Sequence, residues 1–376
     1  WLGVAQLAEA LALRTLLDEA DVDRPAGEPS GQAPRILTWL LPVMDPARAA
    51  AEDSPLRAAL AADLDLSVST LPQLEALSAA ARAQATTARL HLKVDTGMSR
   101  AGSTLADLPT LAAALKAASD DGLIDVVGAW SHMSRADDPS EAGNASTASH
   151  VRIFEEGLRI LSEAGVRPRI RHLAATSGIL WHPQTHYDMV RVGIGLYGLS
   201  PDPAVASAAD LGLIPALTLR APLTSVKVIE EGSPVSYGGT WAAPTRRWIG
   251  LVPLGYGDGI LRASSNRARV LVHTASGPLS APVVGRVCMD QFMIDLGEAA
   301  GGAGEATAHA GQPPARVGDD AILLGNGAGG EPLADEWADA ADTINYEIVT
   351  RLGAHIPRTY VRSGAERTQH GRNPHD

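Results

Sequence analysis

The stretch LHLKVDTGMSRAGSTLADLPTLAAALKAASDDGLIDVVGAW (90–130) decides the fold. It opens on a short apolar run, Leu90–Val94. An alanine- and leucine-rich segment with helical spacing follows, Leu105–Ala118, and then a second apolar run, Val126–Trp130. Strand, helix and strand in that order imply a parallel sheet with helices packed outside it. The alternation continues on both sides. Further apolar runs lie at Leu2–Ala5, Ile36–Leu41, Leu66–Ser69, Ile170–Ala174 and Met189–Tyr197, and further helical stretches at Ala8–Leu17, Leu71–Ala83 and Val151–Ala164. That makes seven strand candidates. A closed barrel of this type needs eight, so the expectation is an α/β plus β protein: a (β/α)8 TIM-type barrel, lacking its first strand, over residues 1–211.

After about Pro201 the pattern changes. Leu217–Ile229, Trp248–Leu254, Arg269–His273, Val283–Leu296 and Ala321–Leu324 read as short strands punctuated by Gly, Pro and Asn. They predict a β-rich domain over 212–361, with a late helix at Thr343–Leu352. Asp18–Pro34 and Gly297–Ala315 read as loops, and residues 362–376 as a disordered tail.

The 376 residues suffice for two domains with sizeable cores. A net charge of −12 argues against a nucleic-acid partner, which needs a basic face. The one cysteine, Cys288, excludes an internal disulfide and fits a reducing cytoplasm. No apolar run reaches the roughly 18 residues of a membrane span, so no membrane partner is expected. Lysine occurs only at 93, 116 and 227. Lys116 lies on an alanine-rich helix, and alternation in TSVKVIE points Lys227 outward, so only Lys93, at a barrel-strand end, is near chemistry.

Four segments carry the candidate site: HLKVDTGMSR (91–100), DMVRVGIGLYGLSP (188–201), PVSYGGTW (234–241) and VGRVCMDQ (284–291). Each alone has a bland reading as a barrel rim, a hairpin or a buried strand. As a set they resemble the active-site segments of alanine racemase, a family that uses pyridoxal 5'-phosphate. The resemblance runs from Trp1 to about Tyr360. It implies interconversion of L- and D-alanine by a two-base mechanism, D-alanine for peptidoglycan, and a head-to-tail homodimer whose active sites are shared across the interface. The family holds its cofactor on a lysine in a K-A-D-A-Y-G-H-G-like segment at the end of the first barrel strand, which this chain does not contain. The strand count and the resemblance point to the same gap, ahead of Trp1. The alternatives are a lysine-less homologue that binds the cofactor or an amino acid without catalysis, and a racemase of another small amino acid such as serine.

The resemblance assigns roles residue by residue. Tyr237 in VSYGGTW matches the catalytic tyrosine from the partner subunit. A free tyrosine has a pKa near 10, so it needs nearby cations to serve as a base. His132 in GAWSHMSRADD and Arg191 match the residues that relay to it. Arg191 also matches the arginine facing the pyridine nitrogen. Being unable to accept a proton, an arginine there makes a shallower electron sink than an aspartate would. Thr176, Gly193 and Ile194 match phosphate contacts, joined by Tyr346 in TINYEI. The family's H-x-A-N-S reads HLAAT (172–176) here, so Ala175 cannot supply the asparagine amide. Arg100 and Met289 match the substrate-carboxylate contacts, Met289 through its backbone N–H. Lys93 matches a lysine that is carbamylated in many members and orients Arg100, and Tyr256 in LGYGDG lines the access path. Asp290 reads as the residue holding the Met289 loop. No metal is called for.

Overall fold

The computed structural model describes residues 1–22, 34–301 and 311–361. It divides into two compact units: Trp1–Leu196 with Ser200–Ser207, and Tyr197–Leu199 with the chain from Ala208 onward.

The first unit alternates strands and helices: β1 (Leu2–Gln6), α1 (Leu7–Val22), β2 (Ile36–Leu40), α2 (Pro46–Ala50), α3 (Pro55–Ala61), β3 (Asp65–Val68), α4 (Leu71–Gln84), β4 (Ala88–Lys93), α5 (Leu108–Asp120), β5 (Ile124–Trp130), α6 (Glu141–Glu163), β6 (Ile170–His172) and α7 (Thr176–Trp181). The strands form one parallel sheet in sequence order, β1 to β6, a half-barrel. Leu66, Leu90 and Leu92 of the strands are fully buried, together with Leu77 of α4, Leu115 of α5 and Phe154 of α6. Helix starts are fixed by local chemistry: Ser140 accepts from the Gly143 N–H to cap α6, and Ser54 caps α3 before its N1 proline.

The seventh strand candidate is not a strand. Met189–Tyr197 is irregular backbone ending in a 3-10 turn at Ile194–Tyr197. Met189 N reaches Arg171 O on β6 at 3.3 Å, but Arg191 N goes to Ala174 O at 3.0 Å and Gly193 N to Thr176 Oγ1 at 3.2 Å, both past the end of that strand, so no regular ladder forms. Helices α2, α3 and α7 escape the sequence pattern because each is seven residues or shorter, too brief to show a period.

The second unit is an antiparallel seven-stranded sheet, order β7-β15-β12-β13-β14-β11-β8. Its strands are β7 (Leu219–Pro222), β8 (Ser225–Ile229), β11 (Arg247–Val252), β12 (Arg269–Thr274), β13 (Gly277–Val284), β14 (Phe292–Glu298) and β15 (Asp320–Leu324), with a small ladder of β9 (Pro234–Val235) and β10 (Trp241–Ala242). Helices α8 (Ala334–Ala340) and α9 (Asn345–Thr350) follow. Two long strand candidates each split. Leu217–Ile229 breaks between β7 and β8, and Val283–Leu296 is interrupted by the loop carrying Cys288 and Met289. Of the expected loops, Asp18–Val22 is helical and Gly297–Glu298 is strand. Residues 23–33, 302–310 and the tail 362–376 lie outside the described residues.

Candidate active site

Parallel pairing places Lys93, Trp130 and His172 side by side at the C-terminal ends of β4, β5 and β6. In barrels of this type that end carries the chemistry. Trp130 is the hub, although no motif assigns it a role. Lys93 Nζ lies 4.3 Å from its ring centroid, Arg191 Cζ lies 5.1 Å away, and the His172 ring stacks on it at 5.6 Å with 3° between planes. Its Nε1–H donates to Ser67 Oγ at 2.9 Å, which locks the indole. A π face near two cations offsets part of their desolvation.

Arg191 is held from almost every side. Nη1 donates to His172 O (3.0 Å) and His172 Nδ1 (3.2 Å). Nη2 donates to Ser131 O (2.8 Å), Leu173 O (3.0 Å) and His132 Nδ1 (3.2 Å). Its partners are carbonyls and imidazoles rather than carboxylates, and burial lowers its pKa to about 10. An arginine donates only, so each imidazole must present its Nδ1 lone pair and carry its proton on Nε2. Burial first, then the charges of Arg191, Arg100 and Lys93, press the His132 pKa down to about 4. His132 is therefore a neutral ring with its Nε2–H directed away from Arg191.

Burial, then Arg100 and Arg191, lower Lys93 to about 8, against a small opposing pull from Asp95. Arg100 is exposed and has no ion pair among the described residues. Its loop is built rigidly. Asp95 N donates to Ser103 O (2.9 Å), Ser103 N donates to Lys93 O (2.8 Å), and Asp95 Oδ1 accepts from Gly97 N and Ser99 N. Gly102 has φ +124°, and a Cβ there would collide with the Asp95 backbone. Beneath the loop, His150 Nε2 accepts from Ser134 N. Its Nδ1–H therefore reaches Thr96 Oγ1 at 2.7 Å, and Thr96 meets Ser131 Oγ at 2.7 Å.

Thr176 Oγ1 accepts from Gly193 N (3.2 Å) and Gly195 N (3.3 Å), which leaves its O–H free to donate. Ile194 is buried, and a Cβ at Gly193 would meet open space. The first unit thus unites Lys93, Arg100, His132, Thr176, Arg191, Gly193 and Ile194.

The other sequence-predicted residues belong to the second unit. Tyr237, Tyr256 and Met289 are exposed there by 72%, 42% and 55%. Their loops lean on one another: Tyr256 N donates to Cys288 O (3.0 Å) and Gly257 N to Met289 O (2.8 Å). A Cβ at Gly255 would collide with the Cys288 and Met289 carbonyls. Ser236, with φ +62°, donates from Oγ to Arg286 O at 2.6 Å and so fixes the turn before Tyr237. Asp290 does not hold this loop. It is exposed with no hydrogen bond among the described residues, and Cys288 N to Gln291 O (2.9 Å) closes the turn instead. Tyr346 is half-buried on α9. Of the remaining lysines, Lys116 pairs with Asp120 along α5 and Lys227 is exposed on β8.

The first unit's donors suit an anionic pyridine ring. Arg191 Nε–H has no partner among the described residues although the terminal N–H groups are engaged, and a pyridine nitrogen is an acceptor. The free Thr176 O–H suits a phosphate oxygen, and of the carboxylates among the described residues Asp95 alone offsets the neighbouring cations Arg100 and Arg191 at Lys93.

The sequence model of the alanine racemase N-terminal domain matches residues 1–201, and that of the alanine racemase C-terminal domain matches residues 216–360. The alanine racemase of Beutenbergia cavernae is 45% identical over 361 residues, covering 96% of this chain and 84% of the relative. That of Salinispora arenicola is 40% identical at the same coverage. The crystal structure of alanine racemase from Streptomyces lavendulae superposes with a TM-score of 0.82 at 40% identity, covering 96% of this chain and 83% of that one. The Bacillus anthracis alanine racemase with bound L-Ala-P superposes at 0.73 and 29% identity, covering 96% of this chain and 81% of that one.

Proposed function

The chain belongs to the alanine racemase family, and from that premise we propose how its residues interconvert L- and D-alanine. The observation that carries the reading is the capture of Arg191 by carbonyls and neutral imidazoles, with Nε–H left over. Pyridoxal 5'-phosphate, when bound, supplies an electron sink that acidifies the Cα–H of the amino acid. Arg191 would hold its ring nitrogen through Nε–H and, as an obligate donor, would leave that nitrogen unprotonated. By keeping that sink shallow, Arg191 would restrict the reaction at Cα to loss and return of one proton. Thr176, with the Gly193–Ile194 turn, takes the phosphate, joined by the Tyr346 hydroxyl.

Arg100 pairs with the substrate carboxylate, and the Met289 backbone N–H donates to it. Tyr256 lines the access path. Tyr237 exchanges the proton on one face of Cα, with His132 and Arg191 as its relay. In the family the opposite face belongs to the cofactor lysine, and none of Lys93, Lys116 and Lys227 stands in that motif. Lys93 instead orients Arg100. Because its pKa is lowered to about 8, its free amine is available to carbon dioxide as pH rises through that value. Carbamylation turns this cation into an anion beside Arg100. A carbamate signal from 13C-bicarbonate, lost in Lys93→Met, reads it directly.

The exposure of Tyr237, Tyr256 and Met289 in a single chain supports a homodimer in which these groups complete the partner's site. We place the protein in the cytoplasm, where its D-alanine feeds peptidoglycan synthesis. No helix among the described residues is long and apolar enough to cross a membrane.

The test is racemisation in D2O by the full gene product with saturating cofactor. Deuterated D-alanine should form from L-alanine, and Tyr237→Phe should lose exchange at Cα from one enantiomer far more than from the other. Wild-type protein that binds cofactor yet yields no D-alanine would sink the reading, and symmetric loss in Tyr237→Phe would sink the role of Tyr237.

A further inference from the structure

Behind Arg191 a line of buried groups runs down the inside of the half-barrel. His172 Nε2 lies 3.0 Å from His91 Nδ1, and His91 Nε2 lies 3.4 Å from Asp65 Oδ2. All three residues are fully buried. The last separation is longer than an ordinary hydrogen bond. His91 Nε2 nevertheless has no other acceptor among the described residues, so Asp65 is the only place its proton can point.

The two ends fix the polarity of the line. Arg191 can only donate, so His172 Nδ1 accepts and the His172 proton sits on Nε2. That proton requires His91 Nδ1 as acceptor, which puts the His91 proton on Nε2, facing Asp65. Asp65 can accept it because it is ionised. Burial works against its charge, but hydrogen bonds from His91, Trp1 and Arg89 outweigh burial and hold its pKa at about 2.

The route has been kept open. His91 stands on β4 and His172 on β6, with β5 between them, and the β5 residue in register with His91 is Gly128. A Cβ at Gly128 would collide with the His91 ring. Its absence lets one imidazole reach the other across the intervening strand.

We propose that Asp65, His91 and His172 are positioning residues for the racemisation. They are locked in one tautomeric sense, and they deliver the pull of a distant carboxylate to Arg191, whose own contacts include none. The line sets how firmly Arg191 is held with its Nε–H toward the cofactor ring. Replacing Asp65 by asparagine frustrates it, because the amide cannot accept from Arg89, Trp1 and His91 together. If the amide turns its NH2 to His91, both imidazoles must flip, and a His172 Nδ1–H would then face an Arg191 N–H.

The test is a long-range 1H–15N spectrum of histidine-labelled protein, with the two rings assigned by His91→Gln and His172→Gln. Wild type should show both as neutral Nε2–H tautomers. Asp65→Asn should give His172 a substantial Nδ1–H population while the melting transition stays cooperative, whereas His91→Leu, which leaves Arg191 in place, should keep His172 as Nε2–H. Either ring as Nδ1–H or imidazolium in wild type overturns the proposal, as does an unchanged His172 tautomer in Asp65→Asn or a His172 Nδ1–H in His91→Leu. A kinetic arm rests on the racemase reading. Asp65→Asn should lower kcat on the order of tenfold with little change in KM for alanine, since the line ends on Arg191 and not on the carboxylate-binding Arg100. A fall through KM alone overturns the positioning role. The spectra need no turnover, so failure of the racemase reading leaves them decisive.

Discussion

At the scale of single residues, the site is a set of bases kept neutral. Burial, with the charge of Arg191, holds the His172 pKa at about 2, and His132 sits at about 4. Both are 6.5 when unfolded, so between pH 6.5 and 4 the unfolded chain binds protons that the folded chain refuses, and stability falls as pH falls. The contribution of these rings is complete above pH 6.5. It is lost through about 4 for His132 and about 2 for His172, at up to about 1.4 kcal/mol per pH unit for each ring. Urea unfolding at pH 7, 6, 5 and 4 should show this slope, and His172→Gln should flatten it. Equal slopes in the variant and wild type would assign the acid lability to other groups.

At the scale of elements, the loop from Val94 to Ser103 acts as one piece. Its ends are tied by the bridge between these two residues, and Gly102 lets the backbone close. Gly102→Ala needs an unfavourable φ and a collision with Asp95, at a cost of about 1–3 kcal/mol. It should raise KM for alanine by shifting Arg100, with a lower melting temperature. An unchanged KM would mean that the loop does not set the arginine. Legibility in the sequence follows the same scale. Strands β1 to β6 were readable because short runs such as Leu90–Val94 are apolar and flanked by long helical stretches. Met189–Tyr197 alternates like a strand, yet it spends its N–H groups on Ala174 and Thr176, a commitment that no periodicity reveals. The site residues came from motifs. Trp130 and His91 lie inside strand patterns and read as core, and Asp65 stands one residue ahead of the Leu66–Ser69 run. The signal that could have found the buried line was Gly128, a glycine within a strand run, which marks close approach by a neighbour.

At the scale of the whole molecule, the parallel sheet has outer edges on β1 and β6 that pair with no strand among the described residues. Open edges recruit other chains unless something covers them. The 376-residue chain alone should therefore sediment as a broad distribution of aggregates. A sharp dimer boundary with a cooperative melt would show that the edges are protected. The expected dimer adds a second demand, since the exposed Tyr237 and Met289 are apolar surface.

The division between the units is not a single point along the chain. Tyr197–Leu199 lies with the second unit, whereas the following Ser200–Ser207 returns to the first. The second unit also needs that tripeptide: Ala216 N donates to Tyr197 O, and Gly198, with φ +75°, leaves no room for a side chain against Ile214 O. A gene split at codon 208 would thus strand three residues on the wrong half. Any lineage that exchanged one half with a relative by a single recombination event would inherit a mismatched seam, so ancestry in this family should be shared across that seam.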